Sequence, residues 1–311
     1  MTVNDIKTFL RSKRGYIKEG GARLAYHLEK KGYNVSVKDC KRALKEMRQE
    51  IKVIPSSGDK NRILFYDIET AYGIARVWRP GWKVRVSYDD FIKHPSIICI
   101  SYKWSDSDEV HSLRWDDKTQ SDKALVKLFV DEMNQADAIC AHNGDKFDLP
   151  WIKARAVYHG IKTYPKYKTV DTLKISRYQF NFPSNKLDDL GDYLGVGRKI
   201  KTDRSLWVDT VCNGDRDALN RMCEYCDQDV FLLEDVYERL KDSIAPVSHN
   251  GVNNGEEKYT SPFVGGTDYS LIKTTTTKGG TIKHLMYCNK SERYFNMSNA
   301  SYKKYLKSIN K

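Results

Sequence analysis

Residues 62–70 read Arg62-Ile-Leu-Phe-Tyr-Asp-Ile-Glu-Thr70, an apolar run with two carboxylates near its end. Its consecutive apolar and aromatic residues predict a buried β-strand. Because side chains alternate between the two faces of a strand, Asp67 and Glu69 share one face. Two buried acids repel each other and lose hydration unless a cation neutralises them. The stretch therefore predicts a metal-binding strand end, although an Asp-x-Glu pair that contacts solvent or a cap has the same spacing.

The residues that follow predict a sheet with helices packed against it. Further strands are expected at 95–104, 110–115 and 138–141, and helices at 122–135, from residue 147, and over about 215–240. Antiparallel strands followed by alternating helix and strand are typical of a mixed α/β sheet flanked by helices, and this order resembles the ribonuclease H-like fold. We place this domain at residues 62–246.

A third acid, Asp148, ends the segment His142-Asn-Gly-Asp-Lys-Phe-Asp148, directly after the short apolar strand at 138–141. A residue in that position lies at the mouth of the sheet, where its side chain can meet Asp67 and Glu69. The alternative is a structural one, because Asp is a frequent N-cap of the helix that follows.

Two further candidates come from the helix at 215–240. Tyr225 and Asp229 stand four residues apart and therefore project from the same helical face toward the same place. Asp227 points away from that face and is expected to be solvated. The helix therefore predicts a phenol and a carboxylate that act at one position.

The three motifs occur in a specific order. Asp-x-Glu is followed by Asn-x-x-x-Phe-Asp and then by Tyr-x-x-x-Asp, which is the pattern of the DEDD exonucleases in the variant with tyrosine (DEDDy). The chain further resembles the stand-alone 3′→5′ exonucleases, often phage-encoded, that are related to the proofreading domain of family B DNA polymerases. This resemblance covers roughly residues 62–245, and its additional segments lie at 168–173, 182–188, 194–197 and 228–234.

The resemblance implies hydrolysis of DNA from the 3′ end, release of nucleoside monophosphates, and two divalent cations as cofactors. Asp67 would contact both ions, with Glu69 and Asp229 on the ion at the nucleophile side. Asp148 would act on the second ion through waters. Oxygen ligands favour Mg²⁺ or Mn²⁺ over zinc. Tyr225 would orient the attacking water, since a phenol with a pKa of about 10 is a poor base by itself.

Substrate contacts follow from the same resemblance. Thr70, Asn143 and Phe147 would lie beside the terminal nucleotide, with Phe147 stacking on its base in a sequence-tolerant way. Lys186 is expected to meet a phosphate, with an ordinary surface lysine as the alternative. The stretch Trp78-Arg-Pro-Gly-Trp-Lys-Val-Arg85 either flanks the single strand or packs as a hairpin, and packing is the favoured interpretation.

Residues 1–58 predict a separate helical domain. An amphipathic helix around residues 22–28 is followed by a turn and by a second helix that Ser36 caps, with Val37 and Cys40 facing inward. This order resembles a DNA-binding helix-turn-helix, with a small helical packing module as the alternative. The cations that the second helix would present to DNA are Lys38, Lys41, Arg42, Lys45 and Arg48.

Residues 250–311 are rich in Asn, Gly, Thr and Lys and predict a small basic, β-rich module. Ser261-Pro-Phe-Val-Gly265 and Cys288-Asn-Lys-Ser291 resemble the two halves of a zinc ribbon. Cys288 is the one cysteine left of the four ligands, and a structural zinc site needs four donors. We therefore expect no structural zinc here, with a coincidental resemblance or a disordered arm as the alternatives.

The formal charge of +12 is concentrated at the two ends of the chain. Residues 1–62 carry 16 Lys and Arg against 7 Asp and Glu, and residues 247–311 carry 10 against 4. Basic ends favour a polyanionic partner through counterion release, with solubility alone as the alternative. We expect DNA as the partner, as single-stranded 3′ ends and as duplex through the N-terminal domain; an additional replication or recombination protein is left open.

Seven cysteines and the absence of a predicted signal peptide favour reduced thiols in the cytoplasm of a bacterial or phage-infected host cell. Cys223 and Cys226 form a CxxC within a helical pattern, which disfavours a zinc or redox site. No run approaches the roughly 20 apolar residues of a membrane span.

Two other functions stay open from the sequence. The same constellation can cleave RNA, which makes a ribonuclease the nearest alternative. A non-catalytic DNA-binding or recombination factor is the alternative from another class, and the intact acids disfavour it because an unused acidic cluster is costly. The 311 residues are too few for the palm, fingers and thumb of a polymerase.

Overall fold

A computed structural model describes residues 1–12, 21–53, 62–79, 81, 83–246 and 248–309, without the side chains of residues 11–12, 21–23 and 47–53. Within these ranges, no helix has both the length and the apolar character that crossing a bilayer requires. The strands are β1 (Ile63–Ala71), β2 (Ile74–Ala75), β3 (Phe91–Lys93), β4 (Ser96–Trp104), β5 (Val110–Arg114), β6 (Ala138–Ala141), β7 (Thr169–Asp171), β8 (Tyr269–Thr276), β9 (Ile282–Cys288) and β10 (Arg293–Ser298). The helices are α1 (Val3–Ser12), α2 (Gly21–Lys30), α3 (Val37–Val53), α4 (Lys123–Met133), α5 (Asp148–Tyr158), α6 (Thr172–Gln179), α7 (Leu187–Tyr193), α8 (Arg204–Val211), α9 (Arg216–Leu240), α10 (Asn250–Asn253) and α11 (Asn299–Ile309).

A five-stranded sheet with the order β5-β4-β1-β6-β7 forms the centre of the molecule. β4 runs antiparallel to β1 and β5, whereas β6 runs parallel to β1 and to β7. The predicted mixed α/β sheet flanked by helices is thereby confirmed. Because β1 and β6 are parallel, their carboxyl ends lie at the same edge of the sheet, so the residues that follow each strand come close together.

β1 lies between two hydrophobic cores, which explains its nearly continuous apolar sequence. Leu64 and Tyr66 face a core that includes α4 and α5. Phe65 faces the opposite core, which is formed largely by α7 and α9. Alternation along the strand continues the face of Phe65 to Asp67 and Glu69. The pattern that buries the strand therefore directs both acids to the side of α9.

The sequence located the long elements but missed several short ones. β1, β4, β5, β6, α4, α5 and α9 lie within a few residues of their predicted positions, whereas β7, α6, α7 and α8 were not predicted. These missed elements have three to eight residues each. So short a segment sustains neither the helical nor the strand period long enough to be recognised.

α1, α2 and α3 surround a small core of their own, in which Leu24, Leu28 and Cys40 are fully buried. The predicted cap of α3 is present, since the Ser36 hydroxyl accepts a hydrogen bond from the backbone N–H of Asp39 at 3.0 Å. The expectation that Val37 faces inward is wrong, because this side chain is 42% exposed. Val37 is the first residue of α3, one turn before the buried stripe begins.

The stretch at 78–85 does not pack as a hairpin, so the favoured interpretation is wrong for its described residues. Trp78 is fully exposed, and Val77 is about half exposed. The flanking strands β2 and β3 form only a short ladder, which is too small to hold a hairpin on the protein. Trp82, which belongs to the same stretch, lies outside the described residues. Cations that line an open cleft beside Trp78 are Arg76, Arg79, Lys83 and Arg85.

The C-terminal residues form a three-stranded antiparallel sheet in the order β10-β9-β8, and α11 packs against it. Arg293 attaches this unit to the end of α9 by donating hydrogen bonds to the carbonyl oxygens of Lys241 and Ile244, at 2.7 and 3.0 Å. Two positions of the suspected ribbon meet in the buried core, where the Ser261 hydroxyl donates to the Cys288 sulfur at 3.2 Å. A hydrogen bond thus joins the two halves of the segment that resembles a zinc ribbon.

Asp122 is a buried anchor between α4, α5 and β4. Its carboxylate accepts hydrogen bonds from Arg155 at 2.6 and 2.8 Å and from the backbone N–H of Ile97 at 3.0 Å, and the His159 ring lies 2.6 Å away. Burial by itself raises the pKa of this carboxyl, but the hydrogen bonds outweigh burial and hold the pKa below its usual value. Because Arg155 belongs to α5 and His159 is its C-cap, Asp122 also fixes the helix that begins with Asp148.

We expect Asp122→Ala to lower the free energy of unfolding by about 3–5 kcal/mol, because it leaves the Arg155 guanidinium buried without its partner. Urea unfolding followed by circular dichroism measures the change. Adding Arg155→Met should restore part of the loss by removing the unpaired charge. The control is Asp192→Ala, which removes an exposed ion pair to Arg198 and should cost less than about 1 kcal/mol. A loss at Asp122 no larger than this control would refute the anchor.

Candidate active site

Three carboxylates converge at the end of β1. Ligand oxygens of Asp67, Glu69 and Asp229 lie within 4.8 Å of one another. Asp67 and Glu69 come from the side of β1 that faces α9, and Asp229 comes from the buried face of α9. The structure therefore brings together three of the four acids that the motifs indicate.

The geometry of β1 changes at the point where it presents these acids. Glu69 lies opposite Cys99 of β4, and the register of the two strands shifts between Glu69 and Thr70. Such an irregularity bends a strand and redirects its side chains. Cys226, from α9, donates its thiol hydrogen to the backbone oxygen of Asp67 at 3.4 Å. This contact holds α9 directly against the acidic end of the strand.

Asp148 is the first residue of α5 and is 3% exposed. The structural alternative is wrong, because the N-cap position belongs to Phe147 and not to Asp148. The backbone N–H groups of Asp148 itself and of Ile68 in β1 instead act on its carboxylate and lower its pKa, although burial outweighs them and raises it. Its charge raises the pKa of Asp67 and of Glu69, although its oxygens do not join the group of three within 4.8 Å. The fourth acid is therefore adjacent to the cluster.

Tyr225 lies one turn before Asp229 and is half-buried. Its ring meets the Trp207 ring edge to face, with centroids 6.5 Å apart. Trp207 donates through Nε1 to the carbonyl oxygen of Thr70 at 3.2 Å, so it links α8 to β1. Burial and the charge of Asp229 raise the pKa of the Tyr225 phenol, which therefore keeps its proton at physiological pH.

Asp227 does not simply face solvent, as expected from the helical spacing. Its carboxylate accepts a hydrogen bond from the Ser112 hydroxyl of β5. It does point away from Tyr225 and Asp229, and it thus helps to attach α9 to the edge of the sheet.

Lys199 reaches the cluster from the loop after α7, and the sequence motifs did not indicate it. Its Nζ lies 2.7 Å from Oδ2 of Asp229 and 5.5 Å from the centroid of the Tyr225 ring. Burial lowers the pKa of this amine, but the charges of Asp229 and Asp67 outweigh burial and raise it. Lys199 therefore stays positively charged. Its position among other basic residues of a loop without periodicity offered no signal that could have identified it.

The charges of this cluster do not balance. Burial raises the pKa of all four carboxyls, to about 8 for Glu69 and to about 7 for Asp148, and the charge of Asp229 adds to the shifts of Asp67 and Glu69. Lys199 lowers all four pKa values but supplies a single positive charge. Four closely spaced carboxylates therefore retain excess negative charge at any pH that ionises them.

The donor atoms fit a divalent cation that prefers oxygen ligands, such as Mg²⁺ or Mn²⁺. Oδ1 of Asp229 is buried and has no hydrogen-bond partner among the described residues. An orphaned carboxylate oxygen next to two further acids is a ligand position that protein groups leave open. Asp67, Glu69 and Asp229 are accordingly the residues that can hold a metal ion.

Asp171 shapes the loop between β6 and α5 and is a second residue that the motifs did not assign. Its carboxylate accepts hydrogen bonds from the backbone N–H groups of Asn143 at 3.0 Å and Asp145 at 3.2 Å. It also caps α6 through the N–H of Lys174. These bonds hold Asn143 in the left-handed region, with φ of 73°, which Asn tolerates better than most residues. The available signal was an Asp between a short apolar strand and a helix.

His142 closes the other side of this loop. Its Nδ1 lies 2.9 Å from the Thr172 hydroxyl, and its Nε2 lies 3.0 Å from the carbonyl oxygen of Asn185. Burial lowers the pKa of the imidazole to about 4, so the ring is neutral at physiological pH. A carbonyl oxygen only accepts, which means that Nε2 carries the hydrogen and Nδ1 accepts from Thr172. The ring therefore fixes the segment before α7 against β6.

The expected substrate residues occupy different positions relative to the cluster. Thr70 follows Glu69 on β1, and Asn143 is half-buried at the shared sheet edge. Phe147 is 40% exposed, with its ring centroid 6.3 Å from that of Trp151. Lys186 is exposed at the start of α7, and among the described residues it forms no ion pair. Thr70 and Phe147 directly neighbour Glu69 and Asp148 in the chain, whereas Lys186 makes no hydrogen bond or ion pair to these acids among the described residues.

The basic residues of α3 lie on its outer surface. Lys38, Lys41 and Lys45 are exposed, as is Arg42, whose Nε lies 2.9 Å from a carboxylate oxygen of Glu46. The side chain of Arg48 lies outside the described residues. The helix therefore presents at least four cations at exposed positions.

Residues 64–241 match the family model of the RNase H superfamily. The matched span includes β1 from its second residue, the loop before α5, and all of α9. It therefore contains all four acids as well as Tyr225.

The chain is also similar to DNA polymerases of archaea. Over 113 residues, or 35% of the chain, it is 31% identical to a DNA polymerase of Pyrococcus glycovorans and 30% identical to one of Thermococcus litoralis. These alignments cover 13% and 6% of the two polymerases, so the chain spans a small part of each. A solved family B DNA polymerase from the hyperthermophilic archaeon Pyrobaculum calidifontis superposes with a TM-score of 0.46 at 18% identity, over 58% of this chain and 24% of that one.

In EDTA, the free energy of unfolding should fall as pH rises from about 5 to 8. The pKa of Glu69 is about 8 in the folded protein against an ordinary 4.5, so the folded state binds its proton more tightly. The resulting stabilisation is full below the unfolded pKa and is lost as pH rises through the folded pKa. Thermal unfolding in EDTA across this range measures it.

Glu69→Gln removes the titrating group and should flatten this decline, with a gain in Tm of roughly 2–4 °C at pH 8 for each kcal/mol of relieved repulsion. Excess Mg²⁺ should likewise flatten the decline in the unmodified protein. An identical pH dependence in the two proteins would show that Glu69 is not its source.

Proposed function

Because the chain belongs to the RNase H superfamily, we propose that it is a metal-dependent exonuclease of the DEDDy type, which hydrolyses DNA from the 3′ end and releases nucleoside monophosphates. The observation that carries the proposal is the convergence of Asp67, Glu69 and Asp229 within 4.8 Å, one turn from Tyr225. Similarity to a segment of DNA polymerases supports DNA as the substrate. The corresponding segment of those polymerases would be their proofreading exonuclease.

The residues that would hold two divalent cations, Mg²⁺ or Mn²⁺, are Asp67, Glu69, Asp148 and Asp229. Such ions activate water and offset negative charge on the phosphodiester when they are bound. Burial of the four carboxyls makes their ionised forms unfavourable and raises their pKa values, and a bound cation would offset this effect. The excess of acids over Lys199 is the chemical reason why the cluster would select a dication.

Tyr225 and Lys199 would act around the carboxylates. The Tyr225 phenol keeps its proton, so it would orient the attacking water through a hydrogen bond and not serve as the base. Its edge contact with Trp207 restricts where the ring can point. Lys199 holds Asp229 through its 2.7 Å contact and opposes the rise that burial causes in the pKa of that carboxyl.

The substrate strand would enter along the sheet edge formed by Thr70, Asn143 and Phe147. The exposed ring of Phe147 would stack on the terminal base, a contact that tolerates any sequence. Lys186 would contact a phosphate farther from the cluster. The exposed Trp78 and the neighbouring cations suit a single strand that approaches the site, which now favours the flanking role of this stretch.

Three domains would divide the work: a helix-turn-helix at 1–58, the exonuclease at 62–246, and a former zinc ribbon without metal at 250–311. The exposed cations of α3 would contact the groove and phosphates of duplex DNA, and the exonuclease domain would act on its single-stranded 3′ end. A stand-alone enzyme of this kind, in a bacterial or phage-infected cytoplasm, would serve replication, recombination or repair, alone or with a protein partner of those pathways.

The decisive test incubates the full chain with 5′-labelled single-stranded DNA, duplex DNA and RNA, in Mg²⁺ or in EDTA. We expect DNA to shorten from its 3′ end in Mg²⁺ and to stay intact in EDTA. Asp67→Ala should lower the rate by about 10³-fold, since a metal supplies several kcal/mol of transition-state stabilisation. Asp227→Asn is the matched control on α9 and should keep most of the activity.

Hydrolysis in EDTA, or hydrolysis that survives Asp67→Ala, would overturn the metal mechanism. Cleavage of RNA alone would make the protein a ribonuclease of the same fold. Binding of DNA without hydrolysis of any substrate would instead identify a non-catalytic DNA-binding factor.

The role of α3 is tested with Lys41→Gln/Lys45→Gln, two cations one helical turn apart. We expect weaker binding to duplex DNA and a slope of log K against log salt that is shallower by about 2, because two phosphate contacts are lost. Hydrolysis at saturating DNA should not change. The matched control is Lys123→Gln/Lys127→Gln, an exposed pair with the same spacing on α4. Equal binding by the two variants would argue against a helix-turn-helix role.

A further inference from the structure

The C-terminal sheet has two unlike faces. Its inward residues, such as Met286 and Phe295, are buried against α11 and the residues around 259–264. Its outward residues are exposed or half-buried along all three strands. We name this outward surface the open face, and the residues that matter here are Lys273, Thr275, Lys283, Tyr287, Tyr294 and Asn296.

Two tyrosines form the aromatic part of the open face. Tyr287 of β9 and Tyr294 of β10 are directly opposite each other in the antiparallel ladder. Their ring centroids lie 4.9 Å apart, with the rings tilted by 54°. Tyr294 is 55% exposed, so a large part of its ring contacts water. The position faces outward in the alternation of β10, where a polar side chain would fit equally well. Aromatic rings on an open sheet face are a stacking platform for unpaired bases.

Cations lie on the same face, along the strands. Lys283 is four residues before Tyr287 on β9, and alternation therefore places the two on one side. Lys273 of β8 pairs with Leu285, which is also outward, so it belongs to this side as well. Residues 269–291 include four lysines and no Asp or Glu. Together with burial, two acids, Glu292 and Asp242, raise the pKa of the Tyr287 phenol. They lie at the opposite end of the face from Lys283.

The combination of exposed tyrosine rings and lysines on the open face favours single-stranded over double-stranded nucleic acid as its ligand. Bases in a duplex are stacked on one another and present only their edges, so exposed rings cannot stack on them. An unpaired strand offers base faces to the tyrosines and phosphates to the lysines at the same time. A cross-strand tyrosine pair also stabilises a sheet by itself, but that effect does not require lysines two and four residues farther along the strands.

The position of the open face relative to the acidic cluster is set by α9. Arg293, at the start of β10, is bonded to the carbonyl oxygens that follow the end of this helix. Asp229 and Leu240 lie on the same helix, and their separation of 11 residues corresponds to about 16 Å of helix rise. At a spacing of 3.4 Å per nucleotide this distance corresponds to about five nucleotides. The helix therefore sets the separation between Asp229 and the point where the sheet is attached.

We propose that the open face binds single-stranded nucleic acid, with bases stacked on Tyr287 and Tyr294 and phosphates held by Lys273 and Lys283. The biological use of this binding rests on the proposed nuclease function, since the strand bound at the open face would be the strand that the acidic cluster hydrolyses. Binding itself is independent of hydrolysis, and the two ideas can be tested separately.

The test measures binding by the full chain in EDTA, where the proposed chemistry is off, using fluorescence anisotropy of a labelled 12-nucleotide oligothymidylate and of a 12-base-pair duplex. Tyr287→Ala/Tyr294→Ala should raise the Kd for the single strand about 10-fold or more, because base stacking on an aromatic ring contributes about 1–3 kcal/mol per base. The Kd for the duplex should change less than about twofold. Tyr294→Phe keeps the ring and should bind like the unmodified protein.

Tyr158→Ala is the matched control, since Tyr158 is 70% exposed at the end of α5 remote from Asp148. Lys273→Gln/Lys283→Gln should make the salt dependence of single-strand binding shallower by about 1.4 in log–log slope. If the double tyrosine variant does not fold, Tyr294→Glu provides a second test. This substitution lies at an exposed position, and its carboxylate repels phosphate, so it should also weaken single-strand binding.

An unchanged single-strand Kd in the tyrosine variants would overturn the proposal, and so would an equal loss of single-strand and duplex binding, which would indicate a general basic surface. Hydrolysis of a dinucleotide, too short to reach the open face, should be the same in Tyr287→Ala/Tyr294→Ala and the unmodified protein. A protein that hydrolyses nothing but shows the expected binding differences would retain the open face and lose the nuclease proposal.

Discussion

The cost of holding Asp67, Glu69 and Asp229 together inside the protein is the constraint on which the rest of the structure depends. Each carboxylate loses hydration on burial and repels its neighbours, and both effects appear as raised pKa values. A flexible protein would relieve this cost by moving the acids apart. β1 and the 25-residue α9 prevent that movement, because each of them contributes residues to both of the large hydrophobic cores.

The surrounding polar groups show the opposite principle. Asp122, Asp171 and His142 are largely buried as well, but hydrogen bonds with other groups of the protein satisfy them. They fix α5 and the loop that carries Asn143, and so they position the edge of the site without joining its chemistry. The orphaned oxygen of Asp229 stands out against this background as a ligand position. Polar groups with hydrogen-bond partners in the protein thus position the site, whereas the carboxylates that lack enough partners are its candidate metal-binding groups.

The two basic ends of the chain complement a slightly acidic centre, since residues 63–246 carry 27 Lys and Arg against 30 Asp and Glu. An acidic cluster without its cations repels a phosphodiester, so a nuclease of this type benefits from capturing nucleic acid elsewhere on its surface. The cations of α3 suit the regular phosphates of a duplex, whereas the tyrosines and lysines of the open face suit an unpaired strand. Such a division would hold a DNA end on both sides of the point where the duplex opens.

The sequence by itself determined the mixed sheet and its central strand, because long apolar runs have a period that local side-chain geometry must follow. It also indicated Asp67, Glu69 and Asp229, since spacings of two on a strand and four on a helix place residues on one face. Only the tertiary structure brought those two faces together and added Lys199 and Asp171. Both belong to loops or very short elements, where no period exists, and their contacts join residues about 30 positions apart. Long-range proximity of this kind depends on how the whole chain packs and leaves no mark in the local pattern.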